Sequence, residues 1–199
     1  MSVVVAIKDN DRVWVGCDSQ VTRSRTTKGT LTNDQNKIWK PSDDKNIVMG
    51  LVGSLRDANI LSTATDWLDE LAVLKNEIDY KYIVRKLVPK IFKELEEFNR
   101  VETDKGIKYF CSEVIFAYKN EVYEIEEDGT VVCTDDILAT GSGYQSCLGA
   151  WRGLKDKDMS IKEKLIECVK ASCEDNLYVN YPIVIMNTLN DEVEIIEKG

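Results

Sequence analysis

The chain contains no histidine. That absence removes Ser-His-Asp and Cys-His catalysis, and any zinc or haem site built on imidazole. A hydrolase on this chain needs another base. Cysteines at metal or redox spacing are lacking too. Cys17, Cys111, Cys133, Cys147, Cys168 and Cys173 form no Cys-x-x-Cys pair, and the separation of Cys168 from Cys173 is poor for two ligands on one helix face. They read as buried free thiols of a reducing compartment, so a cytoplasmic location without metal or other cofactor is expected. Cys17 has the atom of a nucleophile but no histidine to activate it. There is no basic run, and the formal charge of −9 argues against a nucleic-acid partner. No apolar run approaches the ~20 residues that a membrane span requires. The N-terminal run has no basic leader and is too short for a signal peptide. No internal repeat or low-complexity segment is visible.

What is present is an ordinary globular composition. The 199 residues are 43% apolar, which suits one domain over residues 1–199 with a real core. The first twenty-two residues are the most informative. Two apolar runs, Val3-Val4-Val5-Ala6-Ile7 and Val13-Trp14-Val15, flank Asp9-Asn10-Asp11. Two apolar runs around turn residues read as a β-hairpin. A strand so close to the terminus ties it down. If Met1 is removed, Ser2 carries both a hydroxyl and a free α-amine, whose reference pKa is ~8. One residue then supplies nucleophile and general base. A processed or frayed terminus with no such role is the alternative for Ser2 alone.

Further along, residues 23–36 read as loop or irregular strand with a turn at Lys28-Gly29, residues 37–40 as a short strand, Pro41 to Asp44 as a turn, and residues 46–52 as an apolar strand. Ala58, Leu61, Ala64, Leu68 and Leu71 predict one amphipathic helix, capped by Ser54 with Asp57 completing a capping box. A second helix is predicted over residues 80–98, with Asp79 as its cap and a kink or break at Pro89. Strands return over residues 109–118, 121–125, 130–133 and 137–140. Helices follow from Gly141-Ser142-Gly143 and from the capping box Ser160-x-x-Glu163. A final hairpin turns at Asn190-Asp191. The order predicts two antiparallel sheets face to face, covered by helices on both sides.

This order of motifs resembles the proteasome β-subunit family, and within it the HslV-type peptidases. The resemblance rests on a hydroxyl residue at the head of a hairpin, Gly16-Cys17-Asp18-Ser19-Gln20, a strand lysine at Lys37-Ile38, Gly53 before a helix, and Gly141-Ser142-Gly143 before another. It spans nearly the whole chain. It implies an N-terminal-nucleophile hydrolase of the α+β class, a four-layer αββα sandwich. By the same resemblance Ser2 stands for the catalytic threonine, Asp18 for the acid, and Lys37 for the lysine that lowers the hydroxyl pKa. Lys40 and Lys28 are the alternatives to Lys37, because the preceding loop is a few residues longer. Gly53 stands for the oxyanion-hole glycine, Ser142 for a serine near the terminal amine, and Asp175 for the second acid. Leu51, with neighbouring Val52 and Ser54, would line an apolar pocket for the residue before the scissile bond. The implied substrate is a peptide or unfolded protein, cut inside a homo-oligomeric ring, with an ATPase unfoldase as partner. The chain departs from the family in having serine for threonine at position 2, and Tyr178 where a small hydroxyl residue is usual. It has the form of a β-type subunit without a sizeable propeptide or an extra N-terminal helix. Residue by residue the bland roles stay open. Asp18-Ser19 is compatible with a turn cap, Lys37 with a surface strand, Gly53 and Gly141-Ser142-Gly143 with strand-to-helix turns or an anion site, and Asp175 with a helix end. A non-catalytic assembly subunit, and an amidohydrolase of a small amide, are the competing functions.

Overall fold

The computed structural model describes residues 2–23, 27–31, 35–41 and 46–199. β1 (Val4–Lys8) and β2 (Val13–Asp18) form the hairpin, with Val4 opposite Cys17. Its turn is closed by Asp9 N–H to Arg12 O at 2.8 Å, and the Asp9 carboxylate accepts Asn10 N–H at 2.8 Å. Then come β3 (Gln20–Arg23), β4 (Thr27–Thr30), β5 (Ile38–Trp39), β6 (Ile47–Gly53), α1 (Leu55–Thr63), α2 (Glu70–Leu74) and α3 (Tyr80–Tyr82). After a π turn at Ile83–Leu87 come α4 (Val88–Glu97), β7 (Val101–Asp104), β8 (Ile107–Phe110), β9 (Ser112–Tyr118), β10 (Glu121–Ile125), β11 (Val131–Cys133) and β12 (Ile137–Thr140). α5 (Tyr144–Leu154), α6 (Ile161–Asp175), β13 (Ile183–Asn187) and β14 (Glu194–Ile196) complete the chain.

Two five-stranded antiparallel sheets result, ordered β12-β1-β2-β13-β14 and β11-β10-β9-β6-β5. The apolar run at the N-terminus is continuous because both faces of β1 are covered. Val4 and Ala6 enter the layer between the sheets with Val48, Val52, Ile115 and Leu138. Val3, Val5 and Ile7 point the other way, against Trp151, Leu165 and Val169 of α5 and α6. On the far side Met49 and Leu51 of β6 pack under Leu61, Leu87, Ile91 and Leu95. The expected αββα sandwich is the observed one.

Several local readings are corrected. The helix after β6 stops at Thr63 rather than running past Leu71. Asp66 has φ +59°, and Asp69 recaps α2 by accepting from Leu71 N–H and Ala72 N–H. The break turns Trp67 into the core, where it is 3% exposed, while Leu71 stays outside. Ser54 stands at the N-cap of α1, but its side chain makes no cap bond. The helix across Pro89 neither ends nor breaks there: the π turn just before it relaxes the clash that the proline ring would make with the preceding turn. Lys28 and Gly29 lie within β4, paired to β3, and not in a turn. The strand over residues 109–118 is divided at Cys111, its first part pairing with β7, an element the sequence did not announce. The turn read over residues 41–44 falls largely outside the described residues. The caps at Asp79 and at Ser160/Glu163 are observed as read.

Candidate active site

Ser2 leads into β1 and is 6% exposed. Its carbonyl accepts Gly143 N–H at 3.3 Å and Ser142 Oγ–H at 3.4 Å. Gly141 makes this approach possible. It has φ +91°, and a Cβ there would stand 2.4 Å from Ser2 O. The turn from β12 into α5 is therefore the clamp on residue 2.

The next clamp is Asp18, at the end of β2 and fully buried. Its Oδ1 accepts Val3 N–H at 2.9 Å and the Lys37 ammonium at 2.7 Å. Its Oδ2 accepts Gln20 N–H at 3.0 Å and Asn180 N–H at 3.2 Å. One carboxylate thus holds the backbone directly after Ser2, the chain leaving β2, the segment before β13, and the lysine. Lys37, 6% exposed, precedes β5, and its carbonyl accepts Leu51 N–H at 2.9 Å. Lys28 is engaged elsewhere, donating to Leu177 O at 2.7 Å. Cys17 is closed as a nucleophile, since burial pushes its thiol up to about 12.

Gly53 ends β6. Alternate residues of a strand present their N–H groups to the same edge. Leu51 N–H bonds Lys37 O, so Gly53 N–H faces that same edge, beyond the end of β5. Gly53 has φ +121°, and a Cβ on it would meet Cys111 O at 2.5 Å and Ser112 Cα at 2.7 Å. Ser2, Lys37, Leu51, Gly53 and Ser54 line one cavity of about 230 Å³. Val52 points to the other face, into the layer between the sheets. It borders a larger cleft of about 990 Å³ that also reaches Ser2.

Ser2, Asp18, Lys37, Gly53 and Ser142 are thus brought to one place. Asp175 is not in direct contact with them: it is exposed at the end of α6 and accepts a hydrogen bond from Ser146 Oγ of α5 at 2.6 Å. Sequence reading missed other polar groups here. Glu113 and Glu124 border the larger cleft, and the Thr140 hydroxyl donates to Glu113. Burial raises both carboxyls above their ordinary range, with Glu127 adding to the effect on Glu113. The signal was available: glutamates breaking the apolar pattern of β9 and β10. The pairing of Asp57 with Arg100 and Ser112 was missed for another reason, since long-range contacts leave no local pattern.

Residues 2–185 match the proteasome subunit family. The HslV subunit of an ATP-dependent protease from Thermosipho africanus is 27% identical over 182 residues, covering 90% of this chain and 93% of that protein. Among solved structures, eukaryotic HslV from Trypanosoma brucei superposes with a TM-score of 0.65 at 21% identity, covering 93% of this chain and 98% of that one. BPH of Thiobacillus denitrificans, solved in complex with epoxomicin, gives a TM-score of 0.70 at 15% identity over 98% of this chain and 100% of that one. With nearly its whole length matched and the αββα sandwich in place, this chain belongs to the proteasome subunit family and has the N-terminal-nucleophile hydrolase fold.

Proposed function

We propose that this chain is a peptidase subunit whose nucleophile is Ser2, freed by removal of Met1. The observation that carries the reading is the Asp18 carboxylate, which joins the Lys37 ammonium to the backbone of Val3. Burying two charges costs several kcal/mol, and packed apolar residues would hold a strand end as well or better. A buried ammonium in the cavity that Ser2 lines, by contrast, favours an alkoxide there.

In this reading the free α-amine takes the proton as Ser2 Oγ attacks the scissile carbonyl. Gly53 N–H, on the open edge of β6, stabilises the oxyanion. The protonated amine then passes its proton to the leaving peptide amine, and an ester to Ser2 remains. Water, deprotonated by the same amine, cleaves the ester and restores the hydroxyl. Ser142 holds the Ser2 carbonyl, and Asp175 acts only through Ser146 by steadying the α5–α6 pair. Leu51 and Ser54 line the pocket for the residue before the cut, while Val52 borders the cleft on the other side. The substrate is a peptide or unfolded protein. The relatives that are subunits of ATP-dependent proteases support a ring of copies of this chain, served by an ATPase unfoldase.

Mass spectrometry of the purified protein tests this. The expected species lacks Met1 and gains the mass of a peptide epoxyketone, the reagent class of the epoxomicin held by BPH. Protein that retains Met1 and stays inert to epoxyketone and β-lactone refutes the reading and leaves a non-catalytic assembly subunit.

A further inference from the structure

Asp57 takes no part in the chemistry above, yet it is fully buried. Its Oδ1 accepts Arg100 Nε–H at 2.5 Å, and its Oδ2 accepts Ser112 Oγ–H at 2.8 Å. Both partners reach on to Ser54. Ser112 Oγ accepts Ser54 N–H at 3.1 Å, and Arg100 Nη2 donates to Ser54 Oγ at 3.1 Å. The Ser54 carbonyl accepts Asp57 N–H at 3.1 Å. The carbonyl also accepts Ala58 N–H at 3.2 Å, as the first turn of α1 requires, while amide and hydroxyl of Ser54 are both held by groups that the Asp57 carboxylate binds. An ion pair kept only for stability has no need of this convergence, and a buried pair is a weak source of stability in any case.

The consequence falls one residue earlier. Gly53 sits at φ +121°, opposite Ser112 in the strand register. Glycine has more backbone freedom than any other residue. A donor built on it at the end of a strand needs to be held from outside. The ladder to β9 fixes the peptide before Gly53, and the Asp57 network fixes the peptide after it. We propose that Asp57, with Ser112 and Arg100, positions the Gly53 N–H for the developing oxyanion. They are positioning residues and touch no substrate. This inference rests on the reading of Ser2 as nucleophile and names the parts that complete its oxyanion hole.

The test compares wild type with Ser112→Ala, Ser112→Thr and Arg100→Lys as purified, assembled protein. Four constants are read: kcat and KM on a fluorogenic peptide, Ki for the matching peptide boronate, and Kd for the same peptide with an unreactive end. The boronate adduct at Ser2 places an oxygen where the oxyanion forms. Ser112→Ala and Arg100→Lys are expected to lower kcat by about 10- to 100-fold and to weaken the boronate in parallel. KM and the unreactive peptide's Kd stay within about threefold, because uniform binding is untouched. Ser112→Thr keeps the hydroxyl and recovers most of the loss. Variants that match wild type in kcat and Ki overturn the inference, as does a loss that weakens KM and the unreactive peptide's Kd as much as it lowers kcat and weakens Ki. A wild type that neither cleaves the peptide nor binds the boronate overturns the Ser2 reading, and this inference with it.

Discussion

Lys37 Nζ and Asp18 Oδ1 lie 2.7 Å apart, with side-chain exposures of only 7% and 0%. The two sides of this pair are unequal. Asp18 also accepts three backbone N–H groups, whereas no second carboxylate pairs with Lys37 among the described residues. Asp18→Ala therefore strands a buried ammonium and three amides, and is expected to cost about 3–5 kcal/mol. Lys37→Met leaves the carboxylate with its amide donors and costs less. Both lower peptide hydrolysis by at least ~10²-fold, so Lys37→Met separates catalysis from stability. Denaturant unfolding and kcat, measured on the same samples, check this. A Lys37→Met protein with wild-type kcat would remove the lysine from the mechanism.

Gly141 and Ser2 are coupled by contact. A Cβ at position 141 would stand 2.4 Å from Ser2 O and 3.0 Å from Val52 Cγ1. Backbone does not yield as a flexible side-chain end does, so Gly141→Ala has to push residue 2 out of place. A displacement near 1 Å is expected to lower the rate by about 100-fold. The left-handed φ of +91° adds a stability cost of ~1–3 kcal/mol. The rate of epoxyketone labelling at Ser2, set beside the unfolding midpoint, resolves the two effects.

The part of the site legible in the sequence was the part written locally. The hairpin announced itself through two apolar runs around Asp9-Asn10-Asp11, and the capping box Ser160-x-x-Glu163 marked the start of α6. Asp18 and Lys37 lie nineteen positions apart and were placed by a resemblance in the order and spacing of motifs, not by any local pattern that joins them. What stayed hidden depended on tertiary partners. Asp57 has the offset of a capping-box acid from Ser54, but Arg100, in the connection between α4 and β7, claims its carboxylate. Ala64, Leu68 and Leu71 keep a helical period, yet burial of Trp67 wins over continuing the helix. The β7–β8 hairpin has few buried side chains and hence little period to read.

The α6 cap provides a control away from the site. Ser160 Oγ accepts Glu163 N–H at 3.2 Å, and Glu163 Oε2 accepts Ser160 N–H at 2.8 Å. Ser160→Ala is expected to destabilise by about 0.5–2 kcal/mol while leaving kcat and KM unchanged. If Ser160→Ala lowered kcat as strongly as Gly141→Ala, loss of activity would be tracking general stability, and the interpretation of the other variants would fail.

Glu113 and Glu124 supply a pH signature. They sit diagonally on β9 and β10, on the face turned to Thr140 of the opposite sheet. Burial raises both carboxyls above their ordinary value of 4.5. A raised carboxyl binds its proton more tightly in the folded chain than in the unfolded one. Its contribution to stability is therefore fully present below pH ~4.5 and is lost as the pH rises through the folded value. As the pH rises through those folded values each group takes up its charge at some cost to the fold. Glu124→Gln removes that cost for one of them and eases the repulsion on Glu113. The variant is expected to melt above wild type at pH 7.5, with the difference shrinking steadily as the pH falls toward 4.5. Thermal melts of the two proteins across that range check the sign. A gap that widened toward acid would mean that Glu124 is held by a favourable partner in its charged form, the opposite of what its burial in the cleft wall implies.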